Sequence, residues 1–307
     1  MISRGRSPFV LLLAVVITAG ATIDAQRFTS RAVGVRVDVL VTDGKQLVSG
    51  LSARDFEVRD EGILQSVSET ELEQLPLNLI LVFDTSGSVA GPRMRSLLDA
   101  GKALLDGLRE QDRVALLSFS TRIRLLSPLT PSRQQIRAAF DRLDARGSTS
   151  LRDAAFAGLA LREADPGRTL LLIFSDGADT SSWLTAPKVI EAASRTDAVV
   201  YAVAIAEERS AWSPGAGGTA VRETQWIVKE AGKFLDNLTE ETGGRVLFAN
   251  ANSDLRATFT KTLGEFRERY VLSYMPTGVS ATGWHRLEVK LKGKKGKVTA
   301  RRGYFAE

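Results

Sequence analysis

The sequence predicts an α/β protein: a mostly parallel sheet carrying helices, with a small β-sandwich-like domain assembled from the segments on either side. Three observations predict it. Apolar runs and helical patterns alternate across residues 76–269, and strands separated by helices call for right-handed crossovers between parallel neighbours. Residues 31–72 and 270–305 read instead as short strands with turn signals. Hydrophobic residues make up 44% of the 307, enough for a sizeable core and one large or two modest domains.

The chain opens with a stretch, residues 1–25, that reads as a secretory signal. Arg4 and Arg6 give a positive start, Phe9–Ile17 is a short apolar core, and Ile23-Asp24-Ala25 before Gln26 suits cleavage. The core is short for a membrane span, which needs about 20 residues; an uncleaved anchor is the alternative. The next segment, 31–72, begins with valine at alternate positions from Val33 to Val41. That places one apolar face on a strand. Turn signals at 42–45 and 60–62 separate it from further strands at 51–58 and 65–70. These are too few to bury a core alone, so they are expected to pair with strands elsewhere.

Across 76–269 the strand candidates are 78–83, 113–119, 122–126, 169–174, 198–205 and 245–249. Helix candidates are 92–108, 132–143, 151–163, 185–196, 226–242 and 252–267. Runs such as Ala198–Ile205 suit strands buried on both faces. The short turn between 119 and 122 suggests one antiparallel edge hairpin. Residues 207–224 break the pattern with a Gly- and Pro-rich loop that either shapes a rim at the same sheet edge or is an insertion.

The final segment, 270–305, returns to β. Tyr270–Tyr274 and His285–Lys292 read as strands, and a turn at 293–296 sends the chain back as 297–301, a hairpin. These strands are expected to complete the sandwich with 31–72. The cluster Lys290, Lys292, Lys294, Lys295, Lys297, Arg301 and Arg302 is basic, and the chain carries a formal charge of +5. Without interleaved aromatics or a known motif, this reads as a solvated hairpin rather than a nucleic-acid surface.

Three loops carry the chemistry. Asp84-Thr85-Ser86-Gly87-Ser88 follows the strand candidate at 78–83 and precedes a helix. Gly147-Ser148-Thr149 opens another helix. Ser175-Asp176-Gly177 follows a second buried strand. Ligands bind at the carboxyl ends of strands in open α/β sheets, and oxygen-only ligands on Gly-containing loops suit a hard cation such as Mg2+. Taken singly, Asp84 and Ser86 are helix-capping residues and Asp176-Gly177 is a turn. All three pieces together at element ends favour a site.

The set resembles the metal-ion-dependent adhesion site of von Willebrand factor type A domains, over about Pro76 to Arg269. The family pattern is Asp-x-Ser-x-Ser, a distant Thr after a Gly, and an Asp usually followed by Gly. Here those are Asp84, Ser86, Ser88, Thr149 and Asp176. The resemblance implies a doubly wound, Rossmann-like sheet with helices on both faces. It implies Mg2+, or else Mn2+ or Ca2+, at those five residues. In such domains the serines bind directly and the acids act mainly through water, so an open position takes an Asp or Glu of a protein partner. The flanking β segments and the ending Arg302-Gly303-Tyr304 are similar to a group of secreted bacterial proteins with this domain. The expected function is thus a metal-dependent, adhesion-type protein-binding module, secreted or in the cell envelope.

Near the loops, Asp153 is expected to support its helix, Asp179 and Thr180 to form a rim, and Trp183, a candidate exposed aromatic of the same loop, to pack in the core instead. An enzyme is not expected. The chain has no cysteine and one histidine, His285, outside the main domain, which removes most nucleophile–base schemes. No Gly-x-Ser-x-Gly elbow or Gly-x-x-x-x-Gly-Lys-Ser/Thr loop occurs, and Asp84-Thr85-Ser86 lacks the second acid of an Asp-x-Asp phosphatase. The alternative is a metal-dependent hydrolase of phosphate or ester substrates using Asp84 and Asp176.

Overall fold

The computed structural model describes residues 34–69, 75–163, 165, 167–175, 179–206, 232–250 and 255–306. The expected signal at 1–25, the loop at 207–224 and Asp176 lie outside the described residues. The strands are β1 (Val35–Asp43), β2 (Gln46–Leu47), β3 (Phe56–Asp60), β4 (Ile63–Leu64), β5 (Val67–Glu69), β6 (Leu77–Asp84), β7 (Arg113–Phe119), β8 (Ile123–Thr130), β9 (Arg168–Ser175), β10 (Val199–Ala206), β11 (Arg245–Asn250), β12 (Tyr270–Tyr274), β13 (Gly283–Leu291), β14 (Lys297–Thr299) and β15 (Gly303–Ala306). The helices are α1 (Pro92–Asp106), α2 (Arg133–Phe140), α3 (Leu151–Ala160), α4 (Ala186–Ser194), α5 (232–241) and α6 (Leu255–Arg267).

β6 is buried along its whole length, and its side chains alternate between two apolar layers. Leu79, Leu81 and Phe83 pack with α1, α2 and α6; Ile80 and Val82 pack with α3, α4 and α5. A run apolar at every position therefore works as a strand because helices cover both faces. The sheet order is β11-β10-β9-β6-β7-β8, parallel except for the β7–β8 pair. Chain order thus runs outward in one direction from β6 and in the other from β9. The junction between β6 and β9 is the topological switch point, the edge at which open α/β sheets take their ligands. β8 extends past the expected 126 to Thr130. It tolerates Pro128 because it is an edge strand and needs no amide there.

The flanking segments form two antiparallel sheets. One has the order β14-β1-β12-β5 with β2 on β1; the other is β15-β13-β3-β4. Val37, Val39, Phe56, Val58, Leu272 and Tyr304 share one apolar cluster between them. Two details differ from the sequence expectation. The strand expected from 51 begins only at Phe56, because the Asp55 carboxylate accepts the Ser52 N–H at 2.8 Å and curls 53–55 into a 3-10 turn. The expected 285–301 hairpin is absent: β14 pairs with Leu40–Thr42 of β1, while β13 pairs with β3 and β15. The glycines at both ends of 293–296 let the chain cross between sheets, where Val298 and Ala300 pack against the shared core.

β1 is buried on both faces rather than one, because its second face carries the joint to the α/β layers. Arg168, at the start of β9, donates through Nε to Asp38 at 2.9 Å and through Nη2 to Phe266 O at 2.9 Å. Arg269, fully buried, reaches Tyr201 Oη at 3.0 Å, Asp38 O at 3.1 Å and Gly243 O at 2.6 Å. Burial pushes the Tyr201 hydroxyl up to about 12, so it stays neutral between Arg269 and Glu265. Arg36 bonds Asp197 at 2.9 Å and Gly167 O at 2.9 Å. Asp112 accepts from Leu77 N at 3.0 Å and pairs with Arg267 at 2.6 Å. All of these lie at the amino ends of the parallel strands.

Candidate metal centre

Asp84 is the last residue of β6 and is fully buried. Its Oδ1 accepts the Ser86 N–H at 2.8 Å, and its Oδ2 accepts the Ser175 hydroxyl at 2.8 Å. Both oxygens of the carboxylate are oriented by the protein itself. Ser86 is buried, Ser88 exposed, and their Oγ atoms lie 3.0 Å apart. Between the acid and the first serine, Thr85 turns the other way: its N–H and Oγ1 both donate to Phe119 O, at 2.7 and 2.9 Å. The alternation of a strand thus carries two residues past its end and puts Asp84 and Ser86 on one side. Gly87–Val89 is a 3-10 turn, and Pro92 then starts α1 without a backbone donor to lose.

The second loop is tied to the first through backbone. Gly87 N donates to Gly147 O at 3.0 Å, and Arg146 N to Thr85 O at 2.7 Å. Gly147 has φ +84, and a Cβ there would meet Thr121 Oγ1 at 2.6 Å, so the loop needs glycine at this position. Thr149, almost wholly buried, is held by backbone contacts alone. Its N–H donates to Thr180 Oγ1 at 3.0 Å, and its carbonyl accepts from Thr180 N and Ser181 N at 2.8 and 3.0 Å. Its own hydroxyl makes no hydrogen bond among the described residues, which leaves a fixed oxygen with spare capacity.

The structure therefore brings Asp84, Ser86 and Ser88 into one turn and sets the loop of Thr149 directly against it. Asp176, the fifth expected residue, lies outside the described residues. Its neighbour Ser175, not singled out in the sequence, joins the end of β9 to Asp84; a hydroxyl closing a buried strand at the switch point was the available signal. The donor set fits a small hard cation: three neutral hydroxyls beside an anchored carboxylate, with no sulfur or imidazole.

The loop 179–184 supports α3 from a distance. Ser150, at the N-cap position, makes no capping bond; its Oγ pairs with Ser181 Oγ at 2.9 Å. Asp179 Oδ2 and Ser182 Oγ instead accept the Arg152 N–H at 3.0 and 3.1 Å, and Asp179 also pairs with the Arg152 side chain at 2.8 Å. Ser182 Oγ also accepts the Asp153 N–H at 3.3 Å, so two of the orphan donors at the helix start are satisfied this way. Asp153 returns the contact by accepting Trp183 N at 2.9 Å and Leu184 N at 2.8 Å, so it supports this loop rather than its own helix end. Trp183 does not pack in the core as expected; it is 94% exposed. Asp153 fixes the backbone at Trp183 and Leu184, and half-buried Leu184 meets the core instead. His285 sits in the sandwich, buried, with Nδ1 2.9 Å from Asp60 Oδ1. It offers no base to the switch-point loops.

Residues 79–178 match the von Willebrand factor type A domain family. The chain contains a von Willebrand factor type A domain. The uncharacterized protein YfbK of Escherichia coli strain K12 is 36% identical over 128 residues, covering 39% of this chain and 22% of that protein. The inter-alpha-trypsin inhibitor heavy chain H2 of Homo sapiens is 27% identical over 150 residues, covering 45% of this chain and 16% of that protein. The chain thus spans less than a quarter of the length of either relative. A solved von Willebrand factor type A structure from Catenulispora acidiphila is 16% identical, with a TM-score of 0.49, covering 83% of this chain and 70% of that one. Among the described residues no helix is long and apolar enough to cross a membrane.

Proposed function

We propose that the type A domain is a metal-dependent binding module of the cell envelope or exterior, which captures an acidic residue of a protein partner. Asp84, Ser86, Ser88, Thr149 and Asp176 would hold Mg2+, with Mn2+ or Ca2+ as substitutes. The observation that carries the reading is the donor set at the switch point. Ser86, Ser88 and Thr149 offer hydroxyls that the fold does not use up, beside a carboxylate whose two oxygens Ser86 N and Ser175 Oγ already hold. A bound divalent ion would supply a low-charge, electrophilic anchor for an incoming carboxylate. The loops would contribute position: the Gly87–Gly147 and Arg146–Thr85 backbone bonds fix the hydroxyls before any ligand arrives, which lowers the ordering cost of binding.

Thermal unfolding titrated with Mg2+ and with Mn2+ tests this, beside Asp84→Ala. A ligand bound only by the folded state adds RT ln(1 + [L]/Kd), about 2.7 kcal/mol at a hundredfold excess over Kd. The wild type should gain that increment, and more with acetate present; Asp84→Ala should gain none. Equal increments in the two proteins would sink the reading.

A further inference from the structure

Beside the candidate metal centre lies a groove of about 510 Å3, lined by Thr85, Arg122, Arg124, Asp144, Arg146 and Gly147 among others. It shares its wall with the centre: Thr85 stands between Asp84 and Ser86, and Gly147 is two residues before Thr149. The groove is rigid where it meets the site. Thr85 is bonded to Phe119 O, Arg146 N to Thr85 O at 2.7 Å, Ser120 N to Arg122 O at 3.1 Å and Ser148 N to Thr121 Oγ1 at 3.0 Å. Three arginines face one aspartate there. Arg122 and Arg124 are exposed and make no ion pair among the described residues. Arg146 meets Asp144 at 3.3 Å, with the side chains 78% and 56% exposed, a pair that an incoming carboxylate can replace at little cost.

Arg124 lies in β8 and Arg122 in the turn just before it, and both line the groove. Alternate side chains of an extended peptide point to one side, about 7 Å apart, so carboxylates at such positions meet one lined wall together. Guanidinium groups match carboxylates with paired donors.

We propose that this groove reads an extended acidic segment of the protein partner, with carboxylates at alternate positions following the residue that docks at the metal centre. The proposal rests on the metal reading for its first contact and on the arginines for the rest. It deepens the expected function from one acidic residue to a short acidic pattern.

The test uses two labelled peptides, Gly-Ser-Asp-Gly-Ser-Gly-Ser and Gly-Ser-Asp-Ser-Glu-Ser-Glu, followed by fluorescence anisotropy in Mg2+ and in EDTA. The acidic peptide should bind the wild type about 5- to 10-fold tighter than the single-Asp peptide at low salt, the range expected of two exposed ion pairs. That advantage should shrink as salt is added. R122Q/R124Q should remove the advantage while leaving single-Asp binding and thermal unfolding unchanged, since neither side chain makes a hydrogen bond or ion pair among the described residues. Equal binding of the two peptides by the wild type, no binding of either, or an advantage that survives R122Q/R124Q would each overturn the proposal. So would arginine-dependent binding of a heparin fragment with no preference for the acidic peptide. The two readings fail separately. Mg2+-dependent single-Asp binding without any preference leaves the metal reading standing and removes the groove. An arginine-dependent preference that persists in EDTA does the reverse.

Discussion

The two edges of the central sheet handle polar groups in opposite ways. At the amino edge, full charges are buried and each is met by a partner. Arg168 is 5% and Asp38 8% exposed, and they are bonded to each other; Asp112 is 1% exposed and carries Arg267 and two backbone N–H groups. Among the described residues at the carboxyl edge, Thr85, Ser86, Ser88 and Thr149 offer neutral hydroxyls on loops held by backbone bonds, and several keep capacity to spare. Buried ion pairs cost desolvation and are stable only when fully satisfied, so the amino edge is committed to holding the sandwich in place. Neutral oxygens are cheaper to fix without a partner, so the carboxyl edge stays open to a ligand. The difference is chemical as much as positional: one edge is a closed electrostatic joint and the other a set of oriented acceptors.

The largest expected break in that comparison is at the joint. Arg168→Met strips the partner from buried Asp38 and should cost about 3–5 kcal/mol in urea unfolding, the usual loss when half of a buried pair is removed. The metal-induced increment of the folded fraction should be unchanged. A joint that tolerated the change within 1 kcal/mol, roughly the scale of an exposed pair, would mean that the two edges are not so different.

A smaller effect, with a pH signature, belongs to Asp197. Burial alone would raise this carboxyl, but Arg162 first and Arg36 next outweigh it and hold the group below its ordinary 3.8. A carboxyl whose folded pKa is depressed stabilises the fold at pH above the unfolded value and loses that contribution as pH falls through the folded one. Asp197→Asn should therefore destabilise by about 1 kcal/mol at pH 7, and the gap to the wild type should close below about pH 4. Denaturant midpoints measured from pH 7 to pH 3 check it; a gap constant across that range would assign the effect to packing.

The smallest expected effect is on the open side. Trp183→Ser should change stability by less than about 0.5 kcal/mol, as surface substitutions do. A loss of several kcal/mol on thermal unfolding would place the indole in a core that the structure does not show.

Much of the fold was legible because its signals are local and redundant. The run Leu79–Phe83, apolar at every position, can only be a strand covered on both faces, and Pro92 marks the start of α1 to the residue. What escaped is non-local. Nothing in 293–301 distinguishes a hairpin from a crossover, since the choice is made by Leu40–Thr42 accepting β14 as a neighbour. Ser52 and Asp55 looked like strand residues because their mutual bond is invisible to a period-two pattern. Trp183 looked like core because it is large and apolar; the carboxylate of Asp153, thirty residues earlier, fixes the backbone that leaves it outside. At the candidate site, the loop carrying Asp84, Ser86 and Ser88 could be read as chemistry from its spacing. Its anchor could not: Ser175, which holds Asp84, closes a strand far along the chain, and Asp179 and Thr180, expected only as a rim, join Ser182 in bracing α3 and the Thr149 loop. The groove arginines at 122, 124 and 146 become neighbours only once β7, β8 and the 144–149 loop are in place.

The measurement that goes most directly to the central claim is calorimetric titration of the protein with Mn2+, beside Thr149→Ala and Ser86→Ala. Neither hydroxyl carries the joint, so both variants should fold with nearly the wild-type midpoint. The account predicts one Mn2+ per wild-type chain and at least a tenfold weaker affinity, about 1.4 kcal/mol, in each variant. Absence of binding to the wild type, or one ion bound equally well by all three proteins, would contradict it.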